Sequence, residues 1–136
     1  SQLNLEEKYY QKIPYENPKI SIDNLKEDYF GKIFGTRSGD KGGCANLGVW
    51  AKSQEAYSFL FDFLTVKKLK ELLPDLERFE IDRFELPNIY SLNFYVHDIL
   101  QDGVSSSTRM DGQAKSLGEY LRAKKINFPE QLLRQI

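Results

Sequence analysis

The stretch FGKIFGTRSGDKGGCANLGVWAK, which runs from Phe30 to Lys52, decides the fold. Two runs rich in Phe, Ile, Leu, Val and Trp, Phe30 to Thr36 and Ala45 to Lys52, flank the glycine-rich segment Ser38 to Gly43. Such runs, bounded by glycine, are typical of strands joined by a loop. In the second run apolar residues alternate with polar or mixed ones, which indicates one buried face. The stretch therefore predicts a strand, a glycine-rich loop and a half-buried strand.

Helical periodicity follows this strand pair. Apolar residues recur at helical spacing from Tyr57 to Leu73, and Pro74 ends the pattern. We expect one bent helix or two consecutive helices, with the break at Thr65. A final helix is expected from about Gly112 to Lys125, with Asp111 as its N-cap and a buried stripe formed by Ala114, Leu117, Leu121 and Ile126.

A second strand pair lies between these helical regions. The runs Arg78 to Leu86 and Tyr90 to His97 are separated by Pro87-Asn88, and proline marks a turn because it cannot donate to a central ladder. A change of phase in the first run predicts a bulge near Asp82-Arg83. The order strand, strand, helix, strand, strand, helix predicts an α+β two-layer sandwich, in which both helices cover one face of an antiparallel sheet.

The first 29 residues have no sustained period of either kind. We expect an N-terminal arm or linker over residues 1–29, with a short helical turn from Leu3 to Tyr10, and one domain over residues 30–136. The tyrosines of the arm, together with Ile20, Ile22 and Leu25, suggest that it packs on a surface. The sequence begins at Ser1 without a leader pattern, so we expect a piece of a longer chain.

Composition narrows the functional classes. The 136 residues include 19 basic and 20 acidic side chains, for a net charge of -1, so no positive surplus exists for nucleic acid or a membrane surface. With one cysteine, Cys44, and one histidine, His97, the chain can form neither an internal disulfide nor a zinc cluster. We expect a cytoplasmic protein without a cofactor, in which Cys44 is a small buried hydrophobe.

Arg37 to Gly43 has more charge than a turn requires. Glycines let backbone N–H groups approach an anion, and Arg37 and Lys41 add charge-assisted donors suited to a carboxylate or phosphate. This pattern predicts an anion cradle. A solvated loop, in which Asp40 pairs locally with Lys41 or Arg37, is the alternative.

A second polar cluster runs from Asp102 to Lys115 and enters the final helix. Helix N-termini attract anions, and Arg109 and Lys115 strengthen that field. The alternative is that the cluster serves only turns and capping. On the last strand of the second pair, Asn93 could hydrogen-bond a ligand, whereas we expect His97 to be a surface residue and Trp50 to belong to the core.

These motifs, taken together, resemble one family. The strings RSGDKG at Arg37, ANLGV at Ala45, FELPN at Phe84, LNF at Leu92, DGV at Asp102, RMD at Arg109 and QAK at Gln113 are similar to the AtuA-like domain of the acyclic terpene utilisation protein family. The resemblance implies a ferredoxin-like α+β sandwich at the C-terminus of a larger chain, or a separate small subunit. It also implies a link to the bacterial catabolism of isoprenoid acids carried as CoA thioesters. Ala114 departs from the family pattern, which has glycine there.

The resemblance favours one site built from both polar clusters. We expect Asp40 or Asp111 to be the catalytic acid or base, and the ligand to be a carboxylate or CoA thioester bound by Arg37, Ser38, Gly39, Lys41, Asn46, Asn93, Arg109 and Lys115. A divalent metal between Asp40 and Asp111 is a minor variant. The alternative function is a non-catalytic assembly module that docks a larger AtuA-type domain or subunit and forms a homo-oligomer.

Overall fold

The computed structural model describes residues 14–99 and 116–136. Along the chain the elements are β1 (Leu25–Tyr29), β2 (Gly35–Lys41), β3 (Cys44–Trp50), α1 (Gln54–Phe63), α2 (Val66–Leu72), β4 (Ile81–Leu86), β5 (Ser91–Val96), α3 (described over 116–122), β6 (Lys125–Pro129) and α4 (Glu130–Leu133). Single turns of 3-10 helix occur at Phe30–Lys32, Pro74–Leu76 and Pro87–Ile89. In this part of the chain no helix has the length and apolar character to cross a membrane.

The main sheet has the strand order β2-β3-β5-β4, and every neighbouring pair is antiparallel. The two hairpins meet at β3 and β5, whose alternate side chains are fully buried: Ala45, Leu47, Val49, Leu92, Phe94 and Val96. The helices pack against this buried face and share its core, through residues such as Leu60, Leu69 and Leu121. The predicted α+β two-layer architecture is confirmed.

The first hairpin differs from its prediction. The segment Phe30–Lys32, expected to begin a strand, forms a 3-10 turn. The strand β2 spans Gly35–Lys41 instead, so it includes most of the segment from Ser38 to Gly43 that was predicted as a loop. The turn needs only Gly42 and Gly43, with φ of 60° and 90°. A two-residue hairpin turn of this kind requires positive φ at both central residues, which glycine adopts without strain.

Of the predictions for the other elements, one is confirmed and two differ from the structure. Two consecutive helices are confirmed, because Thr65 caps α2 by accepting a hydrogen bond from the Lys68 N–H at 3.0 Å. The prediction of a bulge near Asp82-Arg83 is wrong, since each residue of β4 is opposite one residue of β5. The final helix ends before Lys125, which begins β6; Ile126 is buried in that strand.

Part of the predicted arm belongs to a second, two-stranded sheet. β1 pairs with β6 in antiparallel register, from Leu25 opposite Pro129 to Tyr29 opposite Lys125. Before β1, Tyr15 and Ile20 pack against the core, whereas Ile22 is exposed, as is Leu25 at the start of β1. The ring of Tyr15 lies 5.1 Å from that of Phe61 between centroids. The helical turn expected from Leu3 to Tyr10 lies outside the described residues.

Candidate functional site

The face of the main sheet opposite the helices is the candidate site, and we call it the open face. Because side chains of directly paired residues lie on the same face, the register defines three rows across it. The central row is Arg37, Gly48, Asn93 and Phe84. The rows on either side are Gly39, Asn46, Tyr95 and Asp82, and Gly35, Trp50, Ser91 and Leu86.

A shallow groove of about 340 Å³ lies on the open face and is centred on Gly48. Arg37 on β2 and Asn93 on β5 flank this glycine directly, while Asn46 and Trp50 lie two residues before and after it on β3. A methyl group at position 48 would lie 3.7 Å from the Arg37 carbonyl oxygen and 4.0 Å from Asn93 Oδ1. The missing side chain of Gly48 therefore leaves bare backbone as the floor of the groove.

Polar groups in this groove have unused bonding capacity. In residues 14–99 and 116–136, no hydrogen bond or ion pair engages the Arg37 guanidinium, which is exposed. Within the same ranges Asn46 Oδ1 is buried and has no hydrogen-bond partner. The exposed Arg37 guanidinium next to a bare backbone floor can hold a small anionic ligand.

The apolar wall of the groove comes from Trp50, Leu86 and Ile89. The indole of Trp50 lies across Gly35, where any Cβ would overlap its ring. Trp50, Leu86 and Ile89 remain 38%, 42% and 64% exposed, so the predicted core position of Trp50 is wrong. Its phase on β3 is that of Asn46 and Gly48, which is the mixed face of the strand.

Strand geometry divides the predicted site residues. Arg37, Ser38, Gly39, Asn46 and Asn93 all line the groove. The Ser38 hydroxyl nevertheless turns to the helix face, where it accepts a hydrogen bond from the Gly118 N–H at 3.2 Å.

Asp40 is placed on that helix face as well. It pairs with Ala45, whose side chain is fully buried, and it is not among the residues lining the groove. In a strand, residues three apart point to opposite faces, so Arg37 and Asp40 are separated. Lys41 pairs with Cys44 beside the turn. Arg109, Asp111 and Lys115 lie outside the described residues.

Sequence reasoning missed Gly48, Ser91, Leu86 and Ile89 as parts of the groove. The alternation of β3 was the available signal for Gly48, because it shares the phase of Asn46. Leu86 and Ile89 had no comparable signal, since an apolar side chain does not by itself distinguish a groove wall from the core. Among the described residues that line the groove, Arg37 has the one charged side chain, so the described lining supports binding without supplying an acid or base.

His97 forms a hydrogen bond with Asp82 beside the open face. Its Nε2 lies 2.7 Å from Oδ2 of Asp82, a residue of the row that contains Asn46. The hydrogen bond to the Asp82 carboxylate raises the pKa of His97 above its ordinary value, and partial desolvation opposes this. His97 is part of the surface, as expected, and Cys44 is half-buried rather than enclosed in the core.

The described ranges contain no candidate metal site, because no three His, Cys, Asp or Glu residues lie close enough together there to bind a metal ion. The minor variant, a metal between Asp40 and Asp111, lies partly beyond them, because Asp111 is not described.

Comparison with known proteins identifies the family. No curated protein and no solved structure matches the chain significantly. A family model described as the AtuA ferredoxin-like domain matches residues 30–127, which include β2 to β5 and all of the groove. Since this match covers well over half of the sequence, the chain belongs to the family of AtuA ferredoxin-like domains.

Proposed function

We propose that this domain binds a small branched carboxylate, free or as its CoA thioester, in the groove above Gly48. It would do so as the C-terminal domain or small subunit of an AtuA-type protein in the catabolism of isoprenoid or branched acids. The observation that carries the proposal is the position of Arg37. Among the described residues that line the groove, Arg37 is the charged one, and no described residue forms a hydrogen bond or ion pair with its guanidinium. It also lies next to Gly48, where the groove floor is bare backbone.

The shape of the groove supports a ligand with a polar end and a hydrocarbon end. A guanidinium binds a carboxylate through two parallel N–H donors, and Asn93 on the far side of Gly48 can orient a carbonyl oxygen. The apolar wall of Trp50, Leu86 and Ile89 would take the branched chain. A volume of about 340 Å³ is at the small end of the range for ligand sites, so a CoA moiety would extend beyond the groove.

The proposal is one of binding. The predicted catalytic role of Asp40 is not carried into it, because Asp40 is on the helix face. Asp111 keeps its predicted role only as an expectation for the undescribed segment.

Titration of the protein with short branched carboxylates and their CoA thioesters tests the proposal. Trp50 is the one tryptophan of the chain and lines the groove, so its fluorescence reports binding directly. We expect Arg37→Gln to weaken binding by about tenfold or more, because a charge-assisted pair is lost. Gly48→Ala should also block binding while the fold remains intact, because its methyl group meets only ordinary contacts.

Arg134→Gln is the matched control, since it removes the same charge from an exposed position directly after α4. Wild-type affinity in the Arg37→Gln variant, or ligand binding that survives Gly48→Ala unchanged, would contradict the proposal.

A second candidate, an assembly module, is favoured by the exposed apolar side chains of the open face. Phe84 is 47% exposed in the central row, next to Asn93 and in edge-to-face contact with Tyr95 at 5.7 Å. Large apolar groups at the centre of a surface are typical of protein interfaces. In this reading the open face docks the larger AtuA-type domain or a second copy of the chain.

Phe84→Ser separates the two candidates, because Phe84 is not among the residues lining the groove. The assembly reading predicts that it disrupts self-association or binding of the larger domain in sedimentation experiments. The ligand reading predicts unchanged carboxylate binding by the same variant. Assembly would be excluded if the wild-type protein stays monomeric at high concentration and does not bind the larger domain.

A further inference from the structure

We infer that the open face is a self-complementary interface, on which a second copy of this chain packs about a two-fold axis parallel to the strands. This inference rests on the assembly candidate of the proposed function and commits that candidate to one partner. The observation that carries it is the distribution of charge across the face. Arg37 lies on one edge strand of the main sheet and Asp82 on the other, so the face is electrostatically complementary to itself.

Both charges are accessible to a second molecule. Arg37 on β2 is exposed, and the side chain of Asp82 on β4 is half-exposed. The hydrogen bond between Asp82 Oδ2 and His97 does not exhaust the carboxylate, because each carboxylate oxygen accepts more than one hydrogen bond. Glu80, which is also exposed, lies two residues before Asp82 and adds negative charge on the β4 side. The two edges of the face therefore carry opposite charge.

Charge selects one arrangement of two facing sheets. Sheets that pack face to face lie about 10 Å apart with their strands roughly aligned. A two-fold axis parallel to the strands, between β3 and β5, places β2 of each copy over β4 of the other. An axis in the plane of the sheet but perpendicular to the strands would place β2 over β2, with like charges together. The first arrangement forms two opposite-charge contacts by symmetry, and the second forms none.

The exposed apolar side chains match the same arrangement. Arg37 shares its row with Phe84, so each Arg37 lies opposite Phe84 of the second copy, and a guanidinium stacks well on an aromatic ring. Asp82 of the second copy is one row further along β4, about 7 Å away and within reach of the long arginine side chain.

The next row supplies an apolar contact. Leu86 shares this row with Gly35, and the Trp50 indole lies across Gly35. The two-fold axis therefore places Leu86 of each copy over the indole of the other. Both side chains are more than a third exposed in the single chain, and this contact would cover them.

The size of the face predicts a weak, reversible dimer. Four strands of six or seven residues cover about 19 Å by 22 Å, or roughly 400 Å² of projected area on each copy. This area is at the low end for specific interfaces, where complexes are transient. Charge complementarity then contributes mainly to specificity, since the reversed orientation is repulsive.

Charge reversal tests the inference on the whole 136-residue chain by analytical ultracentrifugation. We expect the wild-type protein to form a dimer, and Arg37→Glu or Asp82→Arg to weaken it at least tenfold, because each creates two like-charge contacts. An equimolar mixture of the two variants should associate with near wild-type affinity, because each variant supplies the charge that the other needs at both contacts. That recovery also shows that both variants are folded.

Arg134→Glu and Asp62→Arg are the matched controls, since they make the same charge changes at exposed positions outside the open face. A dimer indifferent to Arg37→Glu and Asp82→Arg, or monomeric variants that do not associate when mixed, would overturn the inference. A monomeric wild-type protein that binds the larger domain would overturn it and leave the assembly candidate standing; one that binds neither would overturn both. These measurements contain no carboxylate, so their outcome is independent of ligand binding.

Discussion

Thr36 and Gly118 join the edge of the main sheet to α3 through a hydrogen bond that spans 82 positions of sequence. Thr36 Oγ1 donates to the Gly118 carbonyl oxygen at 3.0 Å, and the Gly118 N–H donates to Ser38 Oγ at 3.2 Å. Glycine permits this close approach, because a methyl group there would lie 2.7 Å from Thr36 Oγ1. The polar side chains of β2 on the helix face are thus used to position α3.

Gly118→Ala should destabilise the fold by about 1–2 kcal/mol. Alanine favours a helix over glycine by about 1 kcal/mol, but overpacking costs about 1–3 kcal/mol and the Thr36 hydrogen bond is strained as well. Urea denaturation measures the difference. Thr36→Ala combined with Gly118→Ala should cost less than the sum of the two changes, because it relieves the closest contact. A Gly118→Ala variant more stable than the wild type would show that α3 can move away freely.

His97 should titrate above its ordinary pKa because the Asp82 carboxylate stabilises its protonated form. The pair then contributes stability that is complete below the unfolded pKa of about 6.5 and is lost as pH rises through the higher folded pKa. Since His97 is the one histidine of the chain, NMR titration of the imidazole reports it alone. Asp82→Asn should lower that pKa, and Asp62→Asn on α1 should leave it unchanged. An identical pKa in both variants would remove Asp82 as the cause.

Gly35→Ala should displace the Trp50 indole, which lies across the glycine. We expect red-shifted emission and stronger quenching by acrylamide, because the ring moves into solvent. Gly39→Ala is the matched control on the same strand and face, since a methyl group at position 39 meets nothing within 4 Å. Identical emission from the two variants would mean that the ring does not depend on Gly35.

Arg83→Lys should destabilise the fold by about 1–3 kcal/mol, although charge is conserved. The guanidinium donates to the Phe61 carbonyl oxygen at 2.6 Å, pairs with Glu85 at 3.0 Å and lies 4.9 Å from the Phe61 ring centroid. One ammonium cannot reproduce these contacts. Glu85→Gln, which removes only a part-exposed ion pair, should cost about 0–1 kcal/mol. Equal losses in chemical denaturation would assign the whole effect to Glu85.

Local alternation was sufficient to predict the core of the sheet. Ala45, Leu47 and Val49 on β3 indicated the buried face, and the structure places all three in the core. The same alternation placed Asn46 and Gly48 on the opposite face, where the groove lies. These predictions succeed because a half-buried strand imposes its period on the sequence.

The conformation of the RSGDKG segment could not be obtained locally. Glycines at 39, 42 and 43 are typical of a loop, yet pairing with β3 extends β2 to Lys41 and leaves only Gly42-Gly43 as the turn. Whether Arg37 and Asp40 share a site depends on this difference, since a loop would allow it and a strand separates them by face. The pairing of β1 with β6 was also missed, because its partners are about a hundred positions apart and β1 has no alternation. β6 does alternate from Lys125 to Phe128, but its first residues were assigned to the final helix.

That pairing of β1 with β6 sets a practical limit on trimming the protein. The family match begins at residue 30, one position after β1 ends, and stops at residue 127, in the middle of β6. A fragment cut to those limits would lose the hydrogen-bonding partner of β6 and the Pro129 end of the strand, and would expose an unpaired strand edge of the kind that promotes aggregation. Fragments for expression should therefore begin before Leu25 and continue past Pro129.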